Sequence, residues 1–516
     1  MIDTLPRQLH PFSGGLSLDS MKAAALSEPV TQLPTPPEVW VSMHQHCGLA
    51  AVPCVNPGQK VRTGELIGRA NGTFSANVHA SVTGTVGQVC RRPIVHPGGL
   101  SEMCVQIIST PEQQHDTAFR ISHDYRLADP NMLRQQVAEA GIVGLGGAVF
   151  PTALKLAAEA DQTLHTLVIN GAECDPAISC DEALMREHAP EIVRGIQIML
   201  HILQINIAVI AIEDDKQAAH NSFSAALADA ADERLQLCRV PTRYPEGGER
   251  QLIQVISGTE VPSGGLPIDI GYLCHNVATA FAIDDAFING HALTSRIVTV
   301  CGNGIATPCN LRVPMGTGVR HLIDHCGGYV VSDARIIVGG VMMGFTVAQD
   351  DVPVDKSTNC ILVLPEHESR SNHPVMPCIR CGDCATVCPA NLLPQQLYWH
   401  ARGERLDDLQ RLHVADCIEC GCCDYVCPSN LPLTDYFRYA KDQLWSRDAQ
   451  HLRAGIARTR YENRELRLEK LQAQRQARRE RHRQAVREQS DKQQAIAEAV
   501  ARARQKKQRM DEDPSS

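Results

Sequence analysis

The sequence predicts a multidomain protein of mixed α/β and α+β class, and three observations carry that expectation. At 516 residues the chain has room for several domains of roughly 100–200 residues each. Its patterning changes along its length, from short Val/Ile-rich runs between turns to alternating helical and strand periods. It then carries two matching cysteine arrays 39 residues apart. Hydrophobic residues make up 43%, which excludes a wholly disordered or collagen-like chain.

The elements follow in order. The first 30 residues contain the turn-rich Phe12-Ser13-Gly14-Gly15, and residues 31–37, with three prolines, read as extended chain. Residues 38–110 are expected to be all-β, because turn signals such as Pro57-Gly58, Asn71-Gly72 and Pro97-Gly98-Gly99 separate short apolar runs. Residues 130–290 alternate helical and strand patterns, which implies α/β layering. Leu133, Val137 and Ala140 share a helical face, and residues 165–170 (HTLVIN) and 207–212 (IAVIAI) read as buried strands. Residues 296–345 read strand, strand, helix, strand. Residues 366–376 are a polar linker, residues 377–432 are cysteine-rich, and residues 446–512 are a long exposed helix without Pro or Gly between positions 456 and 510.

Charge is unevenly spread. The formal net charge is −9, yet residues 447–516 carry 19 Lys/Arg against 11 Asp/Glu. An acidic body with a basic tail argues against nucleic acid as a partner. No apolar run reaches about 18 residues, so no transmembrane helix is expected. The N-terminus lacks a charged stretch followed by an apolar one, so no signal peptide is expected. The 21 cysteines are then expected in a reducing compartment, without disulfides.

The cysteine arrays are the sharpest signal. Cys378, Cys381, Cys384 and Cys388 precede Pro389; Cys417, Cys420, Cys423 and Cys427 precede Pro428. In CxxCxxCxxxCP runs three thiolates wrap one [4Fe–4S] cluster and the fourth ligates the other. Cys378, Cys381, Cys384 and Cys427 are therefore assigned to one cluster, and Cys417, Cys420, Cys423 and Cys388 to the other. Zinc would want separated CxxC pairs. Cys422 falls between ligands as a spare thiol, and the remaining twelve cysteines read as small buried hydrophobes.

A second motif is glycine-rich: Gly141, Gly144, Gly146 and Gly147 lead into Phe150-Pro151-Thr152 and Lys155. Glycines let a flat or phosphorylated ligand approach the backbone, and a helix beginning near Pro151 would offer N–H groups to a phosphate, with Lys155 adding charge. A helix precedes the loop, so this is not the Rossmann fingerprint. A purely structural turn is the alternative. Asn170, Glu173 and Asp175 follow the 165–170 strand, where α/β sheets bind ligands. Asp181 and Glu182 read as helix N-terminal acids, and Glu246, between Tyr244 and the Gly247-Gly248 pair, as an exposed loop acid.

Two resemblances sharpen this. The stretch PGQKVRTGELIGRANGTFSANVHASVTGTV resembles a lipoyl/biotinyl-type barrel-sandwich hybrid. Its hairpin tip, Val78-His79-Ala80-Ser81, has no lysine, which argues against a swinging arm. The segments GLGGAVFPTALKL, INGAECDPAISCDEALMRE, YPEGGERQLI and GTEVPSGGLP, followed by paired ferredoxin arrays, resemble the C subunit of the Rnf/Rsx electron transport complex over about residues 10–435. The middle of that subunit is similar to the NADH- and FMN-binding subunit of respiratory complex I.

The resemblance implies an N-terminal β barrel-sandwich hybrid (1–125), an α/β FMN/NADH-binding domain (126–292), a soluble-ligand-binding β-grasp module (293–365), a two-cluster ferredoxin-like domain (366–445) and a basic helical tail (446–516). It implies non-covalent FMN against Gly144, Gly146, Gly147 and Phe150, with Lys155 near its phosphate. Asn170, Glu173 and Asp175 would line the nucleotide pocket. Tyr244, Gly247, Gly248 and Glu249 match a stretch that contacts flavin and nicotinamide, and Asn276 matches a flavin-contacting Asn. Val149 stands where the family usually has Gly, Asp175 where Glu is usual, Ala177 where Tyr is usual. Val143 and Leu145 replace arginines of the complex I loop.

NAD(H) is then the substrate, and a flavin must stand between a hydride donor and one-electron clusters. Hydride transfer requires no acid or base residue, so no catalytic side chain is named. The resemblance implies an oxidoreductase at the cytoplasmic face of the bacterial inner membrane, docked on integral membrane subunits of an ion-translocating complex, with ferredoxin or another low-potential acceptor as a further partner. Two other readings stand beside it. One is a non-catalytic wiring and assembly subunit with an empty flavin loop. The other is a diaphorase-type subunit of a hydrogenase or formate dehydrogenase, against which the leading β domain argues. The tail is either a solvated helix or a basic helix lying on an anionic membrane surface.

Overall fold

The computed structural model describes residues 9–121, 124–157, 164–368 and 374–511; residues 369–373 of the expected linker lie outside them. The chain forms two compact units, residues 1–440 and 441–516.

In the first unit, β1 (Thr31–Gln32) joins a sheet built much later in the chain. The β-rich part follows: β2 (Glu38–Ser42), β3 (Val52–Pro53), β4 (Lys60–Val61), β5 (Leu66–Arg69), β6 (Val78–His79), β7 (Gly84–Pro93) and β8 (Ser101–Ser109). A four-stranded sheet, β2-β8-β7-β4, and a three-stranded one, β3-β5-β6, share a core of Val39, Val41, Ile67, Val78, Val86 and Ile107. This is the expected sandwich. His79, at the tip where a carrier domain has its lysine, is buried.

The α/β part contains α1 (Pro130–Glu139), α2 (Thr152–Lys155), β9 (Thr166–Gly171), α3 (Cys180–Glu187), α4 (Ala189–Leu203), β10 (Ala208–Glu213), α5 (Gln217–Ala230), β11 (Leu235–Val240), α6 (Glu249–Ser257), β12 (Tyr272–Asn276) and α7 (Val277–Asp284). Its sheet is wholly parallel in the order β11-β10-β9-β12. Helices cover it, so β10 is buried at every residue, which is why AVIAIE lacks alternation. The chain steps from β9 to β10 to β11 and then returns to place β12 on the other side of β9. That reversal opens a crevice at the carboxyl ends of β9 and β12, the usual ligand position in such sheets. Helix α4 packs tightly against α7: a Cβ on Gly195 would lie 1.9 Å from the Ala280 carbonyl oxygen.

Next come β13 (Ser295–Cys301), β14 (Cys309–Pro314), α8 (Val319–His325), β15 (Ala334–Val338), β16 (Phe345–Val347) and β17 (Cys360–Pro365). They form a sheet in the order β1-β14-β13-β17-β15-β16, whose core includes Val298, Leu311, Leu322 and Ile361. The cysteine-rich part holds α9 (Asp383–Thr386), α10 (Pro394–Arg402), α11 (Leu406–Arg411) and α12 (Cys422–Tyr425), and α13 (Leu433–Asp511) begins there. Its two halves repeat one backbone path. Positive φ recurs at Arg380 and Glu419, Gly382 and Gly421, Asn391 and Asn430, each pair 39 positions apart.

The second unit is helical. Residues 448–509 are exposed throughout, with i,i+4 ion pairs such as Arg458–Glu462 at 3.1 Å. Among the described residues no helix is long and apolar enough to cross a membrane.

Candidate functional site

The cysteines fall into two pockets. One is lined by Cys378, Cys381, Cys384 and Cys427, with Gln395 and Leu431. The other is lined by Cys388, Cys417, Cys420 and Cys423, with Leu397, Phe437 and the intervening Cys422. Each pocket thus draws three cysteines from one array and the pre-proline cysteine from the other. Burial pushes the Cys384, Cys388 and Cys423 thiols above their ordinary range. Such thiols ionise when a metal supplies the compensating charge, so the donor set fits iron–sulfur clusters. The surroundings differ. Cys381 is exposed beside exposed Val375, Met376 and Ile379, whereas Cys420 is buried against Tyr244.

The glycine loop runs from a Val143–Pro151 bridge and is closed by Gly144 N donating to Phe150 O (2.8 Å). Gly146, Gly147 and Ala148 at its tip are exposed, and Phe150 is half-buried. A Cβ on Gly147 would meet nothing within 4 Å. The tip therefore presents open backbone, as a flat ligand requires. The helix expected after the loop is the single turn α2. Val149, where the resemblance implies a glycine, sits at φ +43°, the left-handed region that a β-branched side chain rarely adopts. Its carbonyl accepts from Cys47 N (3.1 Å), so the β sandwich holds it there.

Several residues fixing this loop carried no legible signal. Thr279 Oγ1 accepts from Leu145 N (3.0 Å), and Arg296 Nη2 donates to Leu145 O (3.3 Å). Lys356 Nζ donates to Gly141 O (2.7 Å) and Asn77 O (3.2 Å), joining three parts of the fold at the loop's root. Burial pulls the Lys356 ammonium down to about 7. Only Thr279, in the NVAT segment after a strand, lay near a recognised motif.

The crevice holds most of the remaining residues. Asn170 and Asn276 are register partners on β9 and β12. Asn170 Nδ2 donates to Gly247 O (2.8 Å). Asn276 caps α7 by accepting from Ala278 N (2.8 Å) and donates to Asp181 (2.5 Å); a Cβ on Gly146 would lie 3.2 Å from its Cβ. Burial, then the neighbouring Glu173, raises Asp181 to about 7. Gly248 caps α6, and Lys155 Nζ pairs with Glu249 (2.6 Å) while donating to Cys274 O (2.7 Å). Leu145 and Asp181 also line a cavity with Phe281, Ser295, Arg296 and Arg312.

Glu173 and Asp175 are engaged by backbone N–H groups. The Glu173 carboxylate accepts from Asp181 N (2.8 Å) and Glu182 N (3.2 Å), capping α3, and the buried Lys22 donates to its carbonyl. Asp181 and Glu182 are the first-turn acids expected. The Asp175 carboxylate accepts from Ala177 N (3.0 Å), Val341 N (3.2 Å) and Met342 N (3.2 Å). Both shape the crevice wall with committed oxygens.

Two expectations are corrected. Glu246 is not an exposed loop acid but fully buried, and neither carboxylate oxygen finds a hydrogen-bond partner. The turn around it is closed by Glu246 N donating to Arg243 O (2.7 Å) and Gly248 N to Pro245 O (2.9 Å), and this turn carries the side chain inward. Burial, then Glu213, raises it to about 8. Nor are all twelve remaining cysteines buried: Cys47 and Cys54 are exposed, since Cys47 lies in the loop after β2 and Cys54 follows the edge strand β3.

Tyr244 links crevice and cysteines. Its hydroxyl donates to Cys420 O (2.7 Å). The N-terminal turn crosses the same seam: Leu16 N donates to Tyr244 O (2.7 Å), and Gly15 N to Val387 O (2.9 Å). Gly14, at φ +66°, permits this, since a Cβ there would lie 2.5 Å from the Val387 backbone. A path of contacts therefore runs from Gly146 through Asn276, Asn170, Gly247 and Cys174 to Tyr244 and Cys420.

Comparison with known proteins agrees with this arrangement. Family models match in order: an RnfC barrel sandwich hybrid domain (residues 10–112), a Nuo51 FMN-binding domain (137–285), an SLBB domain (297–346) and a 4Fe-4S dicluster domain (377–431). The C subunit of the ion-translocating oxidoreductase complex of Pseudomonas aeruginosa is 43% identical over 462 residues, covering 90% of this chain and 59% of that protein. The protein of the same description from Salmonella gallinarum is 41% identical over 499 residues, covering 97% of this chain and 73% of that one. The chain thus spans about six tenths of the first of these relatives. An NAD+-reducing NiFe-hydrogenase structure aligns at a TM-score of 0.44 and 18% identity, covering 64% of this chain and 63% of that one, a likeness too slight to bear on function.

Proposed function

The chain belongs to the family of C subunits of ion-translocating oxidoreductase complexes, and we propose that it passes electrons between NAD(H) and membrane partner subunits through FMN and two [4Fe–4S] clusters. The observation that carries this reading is the Tyr244–Cys420 contact, which joins the crevice to one cysteine pocket within a single polypeptide. FMN, when bound, supplies the exchange between a hydride pair and single electrons.

The chain's own residues have simpler tasks. Gly144, Gly146, Gly147, Phe150, Lys155 and Asn276 would hold the flavin. Asn170, Tyr244, Gly247, Gly248 and Glu249 would form the nicotinamide side of the crevice. Glu173 and Asp175 position that wall through the backbone groups they cap. No side chain acts as acid or base. Cys388, Cys417, Cys420 and Cys423 ligate the cluster nearer the crevice; Cys378, Cys381, Cys384 and Cys427 ligate the outer one, from which electrons pass to or from partners. The exposed apolar rim at Val375, Met376 and Ile379 supports that exit. The partners are integral membrane subunits of the same complex at the cytoplasmic face of the bacterial inner membrane, with ferredoxin or another low-potential acceptor beyond them.

The order can be tested by removing one cluster at a time. Cys381→Ser should lower iron from about eight to about four atoms per chain and leave the rest reducible by NADH. Cys420→Ser should lower iron equally and leave a cluster that NADH no longer reduces. The opposite pattern overturns the order; full iron in both variants overturns the ligand assignment.

A further inference from the structure

Two cysteines lie outside both the cluster arrays and the crevice, yet their sulfurs meet. Cys309 begins β14 and Cys326 follows the last residue of α8; their Sγ atoms are 3.1 Å apart. Backbone pairing sets this approach. Thr307 N donates to Cys326 O (2.9 Å), Ala306 N to Gly328 O (3.3 Å), and Val330 N to Gly304 O (2.9 Å), while Ile305 and Tyr329 form an antiparallel bridge. The chain entering β14 therefore runs beside the chain leaving α8, and the contact belongs to the fold's register.

The two thiols are unequal. Cys326 is 1% exposed within the core, whereas Cys309 is only partly buried. The two sulfurs share one hydrogen bond, and this contact lowers the Cys309 thiol below its ordinary range and holds the Cys326 thiol up. A partly buried sulfur with thiolate character beside a fully buried thiol gives an attacking and a resolving partner.

We propose that Cys309 and Cys326 form an oxidisable dithiol that exchanges with low-molecular-weight disulfides. The Cys309 thiolate attacks one sulfur of the incoming disulfide and expels one small thiol. Cys326 then loses its proton and attacks the Cys309 sulfur of the mixed disulfide, expelling the second. Two protein thiols and one small disulfide become one protein disulfide and two small thiols, so electrons and protons balance. Bond formation needs the sulfurs to close by about 1 Å, to the ~2.05 Å of a disulfide. The product would tie the end of α8 to the start of β14.

The protein carries its own control. Cys301 and Cys360, on β13 and β17, bring their sulfurs to 3.8 Å, but both are buried, at 3% and 0% exposure. An oxidant that must touch sulfur cannot reach them.

The test uses the full chain, purified anaerobically with its clusters and treated with oxidised glutathione. It is then denatured, alkylated and mapped by peptide mass spectrometry. The expected result is a Cys309–Cys326 disulfide, lost on addition of dithiothreitol, with Cys301 and Cys360 still alkylated. Cys326→Ser should trap glutathione on Cys309, and Cys309→Ser should leave Cys326 unmodified. The proposal is overturned if Cys309 and Cys326 stay alkylatable under conditions that modify exposed Cys47 and Cys54. It is equally overturned if Cys301 and Cys360 oxidise to the same extent.

Discussion

Val149 concentrates the tension in the glycine loop. A β-branched residue held at positive φ costs on the order of 1–3 kcal/mol, part of which glycine's greater freedom in the unfolded chain returns. Val149→Gly should therefore raise Tm by a few degrees and retain flavin better through gel filtration. A lower Tm would show that the Val149 side chain repays its backbone strain by packing. Glu246 makes a pH-dependent contribution. Its folded value of about 8 lies above the 4.5 of a free glutamate, so the folded state binds the extra proton between those limits and stability falls as pH rises through them. Glu213, Asp214 and Arg243 are the charged groups around it. Glu246→Gln, which cannot ionise, should match the parent at pH 5 and exceed its Tm increasingly toward pH 8. A constant difference across that range would contradict the buried, protonated acid. At this scale the sequence revealed residues whose chemistry is local: the loop glycines, Asn170 and Asn276 at strand ends, and the cysteines. Glu246, Lys356 and Arg296 were not legible, because their roles depend on burial against segments distant in the chain.

Elements were legible where one period dominates. The continuous apolar run of β10 and the helical face of Leu133 and Val137 in α1 announced themselves, and α13 followed from its lack of breakers. What periodicity cannot report is how closely elements approach. Gly195 lets α4 meet α7, and α7 presents Thr279 to the loop and begins at the Asn276 cap. Gly195→Ala would put a Cβ where the Ala280 carbonyl stands, so the helices must part. The expected outcome is a lower Tm together with loss of flavin at unchanged iron content. Loss of iron with flavin retained would place the coupling elsewhere. The turn at residues 12–16 was equally illegible as a seam element. Gly14→Ala combines a positive φ with a clash against Val387 and Cys388, and it should lower iron content while sparing the α/β core, read by iron analysis beside circular dichroism. Unchanged iron would show that the seam yields without disturbing the clusters.

For the whole molecule, domain order was readable because each part carries its own motif. The route joining the parts was not, since Tyr244 and Cys420 lie 176 residues apart and only folding brings them together. The central claim is that route: one polypeptide connects a crevice for a two-electron donor to a pair of one-electron relays. It is tested most directly by the visible spectrum of the anaerobically purified chain before and after NADH, with flavin extracted from the same sample. The expected result is extractable FMN and NADH-dependent bleaching of both the flavin band and the broad iron–sulfur absorbance. Iron-replete protein that yields no flavin and keeps its absorbance when NADH is added would contradict it.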